Sequence, residues 1–268
     1  MFGRVARLQI QPPSGSGVEI DGLRVRFRVH RIPGKQDAAT VDVWGLGIDT
    51  YQQIGDYRTV TRIVAGYEDG PLGDVCQGQT VRDSVRRQIT DGEVVTTWQV
   101  QESATYFQDV RLSAAWSGSV TSDELLSYVA RQVGATPAYQ AAPRTVTYAR
   151  GYALPSDWRA ALTSLARDAG ASWSIANGRL VLVPLDGSAA RVRAVVLAPD
   201  SGLLGWPQQS DGGNVLARSL LQPGLLPGDA VRIEGDTLPG DYVVQELQHD
   251  GDLWGDDWST TVKAKARR

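Results

Sequence analysis

The chain has 268 residues, 42% of them hydrophobic, with 29 glycines, 13 prolines, 8 tryptophans and one cysteine. That length allows one large domain or two to three small ones, and the apolar content suffices for a packed core, which excludes a disordered chain. A net charge of -3 excludes the overall basic character of a general nucleic-acid binder, and the lone Cys76 excludes an internal disulfide framework.

Arg4 and Arg7 interrupt the first ten residues, which lack the apolar segment of a signal peptide. No apolar run approaches the roughly 18 residues that a membrane span needs. Val5, Leu8 and Ile10 alternate with polar residues with one slip of phase, and Gln11 to Gly17 reads as a loop. Residues 23–30 alternate without error, Leu23, Val25, Phe27 and Val29 on one face and Arg24, Arg26, Arg28 and His30 on the other. A strand's side chains have period two, so this is a half-buried strand. Further strands are expected over 40–45, 59–67, 72–77, 81–90 and 94–101, with one or two helical turns between Leu46 and Ile54. Short strands separated by glycine and proline suggest a sandwich or barrel, placed at residues 1–104.

Composition then changes. Thr121-Ser122-Asp123-Glu124 is a capping-box pattern, Leu125, Leu126, Val129 and Val133 follow at helical spacing, and Gly134 is a natural stop. Leu154-Pro155-Ser156-Asp157 opens a second helix with Trp158, Leu162, Leu165, Ala166 and Ala169 on its buried stripe, and Gly170 ends it. Residues 171–175 and 179–183 alternate around Asn177-Gly178, the strongest short-range hairpin signal. Residues 105–187 therefore read as a small helix-helix-hairpin unit of α+β type, and 188–268 as a second β domain.

That last domain opens with Ser201-Gly202-Leu203-Leu204-Gly205-Trp206-Pro207 and continues through Gln222-Pro223-Gly224 to Gly240-Asp241-Tyr242-Val243-Val244. It ends with His249-Asp250-Gly251-Asp252 and Trp258-Ser259-Thr260-Thr261-Val262. These motifs, in this order, resemble the C-terminal barrel of bacteriophage baseplate and tail-tip hub proteins of the T4-like and Mu-like, late-control-D-like family. Gln222-Pro223 stands where Asn-Pro is commoner. The order of parts resembles the family along nearly the whole chain, although the residue motifs concentrate after Pro199. The resemblance implies a mainly β fold with an α+β insertion, two β-barrel tube-type domains flanking the helix-helix-hairpin domain.

The chemistry-bearing residues point to no catalytic centre. His30 and His249 are the only histidines, fewer than a zinc site ordinarily needs, and His249 is expected at a turn. Cys76 reads as a small buried hydrophobe. Glycoside hydrolysis needs two carboxyls at a set separation, one with a raised pKa; Glu246 with Asp250, or Asp256 with Asp257, would be the candidates. Acidic residues in Gly-Asp turns are normally turn formers, and the 251–257 stretch lacks the ligand pattern of a calcium loop. No catalytic residue, metal or cofactor is expected. The ladder Arg24, Arg26 and Arg28 has three readings: a solvated face, a subunit interface meeting carboxylates, or a DNA-facing lumen. The second makes these residues the candidate subunit interface.

What the resemblance implies for function is a structural protein of the virion tail, made in the host bacterial cytoplasm. It would be a homotrimer adapting a six-fold tail tube to a three-fold spike or fibre hub and forming part of the channel through which phage DNA passes without specific binding. Its expected neighbours are the tail tube, a trimeric spike or tail-fibre hub, and the distal tail and tape-measure proteins. A tail-associated peptidoglycan hydrolase and a monomeric β-barrel carbohydrate-binding or adhesion module are the alternatives.

Overall fold

The computed structural model describes residues 3–33, 38–55, 58–101, 110–138, 144–185 and 194–267. The first β region holds β1 (Arg4–Gln11), β2 (Val18–Ile20), β3 (Val25–Arg31), β4 (Ala38–Trp44), helix α1 (Ile48–Gly55), β5 (Val60–Tyr67), β6 (Leu72–Thr80), β7 (Arg86–Thr90) and β8 (Glu93–Gln101). The middle unit holds β9 (Ala115–Trp116), β10 (Val120–Thr121), α2 (Ser122–Gln132), β11 (Thr136–Pro137), β12 (Thr147–Tyr148), β13 (Tyr152–Ala153), α3 (Trp158–Asp168), β14 (Ala171–Ala176) and β15 (Arg179–Pro184). The second β region holds β16 (Val195–Leu197), β17 (Leu203–Ser210), β18 (Asn214–Leu220), β19 (Ala230–Ile233), β20 (Gly240–Asp252) and β21 (Trp258–Ala266). The expected divisions at 104/105 and 187/188 fall outside the described residues.

The chain is mainly β with a small helical share, as expected; the two separate barrels are not. The main sheet runs β17-β18-β21-β20-β3-β4-β8-β6-β5-β1-β2, with β7 on β8, β19 on β20 and β16 on β19. Among the described residues no barrel closes. The reason lies in β20, which spans thirteen residues. Its base pairs with β19, Ala230 opposite Val243, whereas its far half pairs with β3, from Leu247 opposite Arg31 to Asp252 opposite Arg26. The edge of β3 is thus satisfied by the other β region, and one open sheet joins the two.

Packing follows the same division. In the first region Phe27, Val29, Val41, Ile63 and Trp98 are buried together, and Leu221 and Trp258 from the second region enter that core. Phe27 and Trp258 meet edge-on with ring centroids 5.8 Å apart, an arrangement aromatic quadrupoles favour. The second region has its own cluster around Leu197, Val231, Val244 and Val262. The middle unit buries Leu125, Leu126, Val129, Leu162, Leu165 and Trp173 against each other. A small fourth cluster, Ala176, Val181 and Leu226, joins the middle unit to the second β region.

Local chemistry explains the element ends. The Thr121 side chain accepts from the Glu124 N–H while Glu124 accepts from the Thr121 N–H, so the capping box is complete. Asp157 caps α3 by accepting from the N–H groups of Arg159 and Ala160, and those bonds hold its carboxyl below the usual range against the opposing effect of desolvation. Asn177 and Gly178 both take positive φ, 51° and 71°, the pair that a two-residue primed turn requires. Two strands differ from expectation. In β1 the buried residues are Ala6, Leu8 and Ile10, a clean alternation with Val5 outside it. The strand expected over 81–90 begins only at Arg86, because the Ser84 hydroxyl donates to the Val81 carbonyl at 2.6 Å and Asp83 turns with φ 59°.

Candidate functional site: a charged seam between the β regions

Strand β3 shows the expected alternation, with Val25, Phe27 and Val29 buried. Its polar face meets carboxylates of the same chain. Arg24, just before β3, donates through Nε to Asp252 Oδ1 at 3.1 Å and through Nη2 to Oδ2 at 2.8 Å. Its guanidinium lies 4.2 Å from the centre of the Trp44 ring. Arg26 donates to Asp42 at 2.8 Å, and the other Asp42 oxygen accepts from the Thr97 hydroxyl at 2.6 Å. Arg28 donates to Asp250 at 2.7 Å, and Gln248 donates to the same carboxylate. His30 Nε2 lies 2.8 Å from Glu246 Oε1. The ladder thus faces β20 and β4, and its pairs differ in depth. Asp252 is buried, whereas the side chains of Arg26 and Arg28 are more than half exposed.

The electrostatics follow from these contacts. The hydrogen bond to Asp252 raises the Arg24 pKa, and the one to Asp250 raises that of Arg28. Burial works to raise the Asp252 carboxyl, but the bonds from Arg24 and from the Trp254 and Gly255 N–H groups outweigh it and hold it below the ordinary value. Asp252 therefore both pairs β20 with Arg24 and shapes the turn into β21. Arg4 adds donations to the carbonyls of Asp252 and Gly255.

Beneath the ladder lie two residues whose places the sequence reading missed. Arg31 continues the apolar face of β3 and has no exposed surface. Its Nη2 donates to the Val75 carbonyl at 2.7 Å and to Asn177 Oδ1 at 3.1 Å, so it ties β6 to the hairpin of the middle unit. Strict alternation from Val25 puts residue 31 on the core face, a signal legible in the sequence. His249, expected at a turn, sits within β20 and is buried. Burial, with the charge of Arg31, pushes its pKa down to about 3. The Leu225 carbonyl accepts from the ring, which leaves the Thr260 hydroxyl donating to Nδ1 at 2.8 Å while accepting from the Gln222 N–H.

Three of the four carboxylates weighed for hydrolysis have partners of their own. Glu246 holds His30, Asp250 holds Arg28, and Asp257 lies 3.5 Å from Arg218. Among the described residues no three His, Cys, Asp or Glu gather as a metal site would require. No helix there is long and apolar enough to cross a membrane. The seam is built to join strands, with Arg24, Arg26 and Arg28 each hydrogen-bonded to a carboxylate of the same chain.

This architecture is shared, over the full length of the chain, with bacteriophage tail proteins. A tail protein from Neisseria meningitidis MC58 superposes with a TM-score of 0.64 at 12% identity, covering 99% of this chain and 97% of that one. A 43 kDa tail protein of prophage MuSo2 from Shewanella oneidensis gives 0.66 at 9%, covering 97% and 98%. An E. coli component of the type VI secretion system, described as structurally similar to the T4 bacteriophage tail proteins gp27 and gp5, gives 0.63 at 10%, covering 97% of this chain and 77% of that one. No protein-family model and no curated protein matches the sequence.

Proposed function

We propose that the chain is the structural hub of a phage tail baseplate or tail tip, or of a related contractile particle. The observation that carries this reading is the full-length likeness in fold to tail proteins, through both β regions and the middle unit together. The hub is a homotrimer in which each chain contributes two β regions, so three chains offer six related faces. Such an assembly docks on a six-fold tail tube while its true three-fold axis receives a trimeric spike or fibre hub. Distal tail and tape-measure proteins are its further neighbours in the virion, and phage DNA passes through its channel without specific binding. In the trimer the solvent sides of Arg26 and Arg28, with Arg24 behind them, act as a subunit contact beyond their intrachain pairs. The role is one of assembly, with no bond made or broken; the ion pair of Asp250 with Arg28 and the hydrogen-bond contact of Glu246 with His30 support this over hydrolysis.

Light scattering of the purified chain over a concentration series tests the proposal. A mass of three copies, and caps on tail-tube polymers mixed with the protein, are expected. A monomer at every concentration that leaves tube polymers uncapped would overturn it.

A further inference from the structure

The chain has two asparagines, Asn177 and Asn214, and Asn177 is the one followed by glycine. Asparagine is chemically labile, because the backbone nitrogen of the next residue can attack its side-chain carbonyl. A following glycine has no Cβ to hinder that approach.

The fold presents this pair in an unusual setting. Asn177 and Gly178 are the central residues of the β14–β15 turn, between the paired Ala176 and Arg179. Gly178 is exposed and Asn177 is half-buried. The Gly178 carbonyl accepts from the Thr136 N–H, whereas its own N–H donates to nothing among the described residues. From the inner side, the guanidinium of the fully buried Arg31 donates through Nη2 to Asn177 Oδ1 at 3.1 Å. A cation on that oxygen draws charge from Cγ and stabilises the oxyanion that forms when a nucleophile adds there. Asn214 has no such setting. Its next residue, Val215, is β-branched and buried within β18, and its amide donates to the Asp211 carbonyl at 2.7 Å.

We propose that Asn177 is a self-modification site, its side-chain amide being converted in the folded chain to a carboxylate that Arg31 holds as an ion pair. The Gly178 nitrogen gives its proton to solvent and bonds to Cγ. The Cγ–Nδ2 bond breaks, the amide nitrogen takes a proton from solvent and leaves as ammonia, and a cyclic imide remains. Arg31 stays on the former Oδ1, so Cγ is the more electrophilic of the two imide carbonyls. Water adds there, the new Cγ–N bond breaks, and the Gly178 nitrogen regains a proton. The product is ordinary aspartate. Addition at the other carbonyl would give isoaspartate, whose extra main-chain carbon is incompatible with the two-residue turn.

The product strengthens the joint of the middle unit. A charged acceptor replaces a neutral one, and such hydrogen bonds are about twice as strong. At a half-buried position the carboxylate keeps part of its hydration, while the buried guanidinium gains a counter-charge. Aspartate also tolerates the positive φ of this position. Because Arg31 donates to the Val75 carbonyl as well, the change ties the β14–β15 hairpin more firmly to β3 and β6.

The test follows the full chain at neutral pH, folded in one sample and unfolded in urea in the other, by peptide mapping with mass spectrometry. In the folded sample Asn177 is expected to convert while Asn214 stays intact. Its ratio of aspartate to isoaspartate, the latter read by enzymatic methyl transfer, should exceed that of the unfolded sample by about tenfold. The Asn177→Asp variant supplies the product directly, and its urea midpoint should lie above that of wild type. A folded chain that keeps Asn177 while the unfolded chain converts it would overturn the proposal. A product ratio equal to that of the unfolded chain would remove the role of Arg31. An Asn177→Asp midpoint below wild type would show that the carboxylate gains no ion pair and that the change loosens the joint.

Discussion

The two β regions and the middle unit are joined to the rest of the molecule in different ways. The β regions share backbone hydrogen bonds across β3 and β20, and Trp258 of one is buried in the core of the other. The middle unit packs mainly on itself. Its described links outward are thin: Ala176 and Val181 against Leu226, Arg31 on Asn177, and Lys265 donating to the Leu185 carbonyl. Where a strand pairs across a boundary, the two sides lose their independence. Where only a hairpin end and a few side chains meet, each side keeps its own stability. The β regions should therefore unfold as one body, with the middle unit separable from them.

The largest test of that contrast is a pair of core truncations. Trp258→Ala should cost about 3–5 kcal/mol and Leu162→Ala about 2–5 kcal/mol. The expected difference lies in where the loss appears. Amide hydrogen exchange in Trp258→Ala should quicken in β4 and β18 alike, whereas Leu162→Ala should quicken exchange in α2, α3 and β14 and leave β4 protected. Quickening confined to the second β region in Trp258→Ala would show that the seam does not couple the two.

Two effects of about 2 kcal/mol probe the seam itself. Arg24→Ala removes a two-point bond to a buried carboxylate and the stacking on Trp44, a loss of about 2 kcal/mol in urea unfolding. The second is acid sensitivity. His249 is neutral in the folded state, with a pKa near 3 against the ordinary 6.5. A depressed folded pKa gives stability that is complete above about pH 6.5 and lost as pH falls toward 3. Between pH 7 and pH 5 the loss should be about 2 kcal/mol. This window lies above the range in which Asp252 and Asp157 protonate, since both carboxyls are held below their usual values. His249→Gln should flatten the pH dependence of the unfolding midpoint there; an unchanged slope would assign it to another group.

The joint of the middle unit is weaker. Asn177→Ala removes one acceptor of Arg31 and puts alanine at a positive φ, for about 1–2 kcal/mol. Exchange should quicken in β14 and β15 with little change in β18. An equal effect on β18 would mean that the middle unit is not separable.

What the sequence made legible, and what it hid, follows the range of the interactions. The capping box at Thr121, the opening of the second helix within 154–157, the Asn177-Gly178 turn and the alternation of β3 are each decided within a few residues, and each was readable. The β20–β3 pairing joins residues more than two hundred positions apart, and a strand pattern names its faces without naming its neighbour. Two barrels were expected because the partner of the β3 edge cannot be read from β3. His249 was misplaced for a related reason. The Gly-Asp pair after it looks like a turn, yet Gly251 packs under Phe27, where a Cβ would stand 2.3 Å from the ring. The glycine is there for a close approach within a continuing strand. The arginine ladder was seen, but the source of its carboxylates was not.

The smallest expected effect separates the two roles of that ladder. Arg28 sits 67% exposed over Asp250, and an exposed ion pair of this kind contributes under about 1 kcal/mol. Arg28→Ala should therefore move the urea midpoint of the monomer very little, far less than Arg24→Ala. Its effect on assembly is a separate quantity, because burial between chains would strip the solvent that screens the pair. A wild-type midpoint with a weakened three-copy mass assigns Arg28 to a subunit contact. A wild-type midpoint with an unchanged mass, repeated for Arg26→Ala, confines the ladder to joining β3 with β4 and β20 inside one chain.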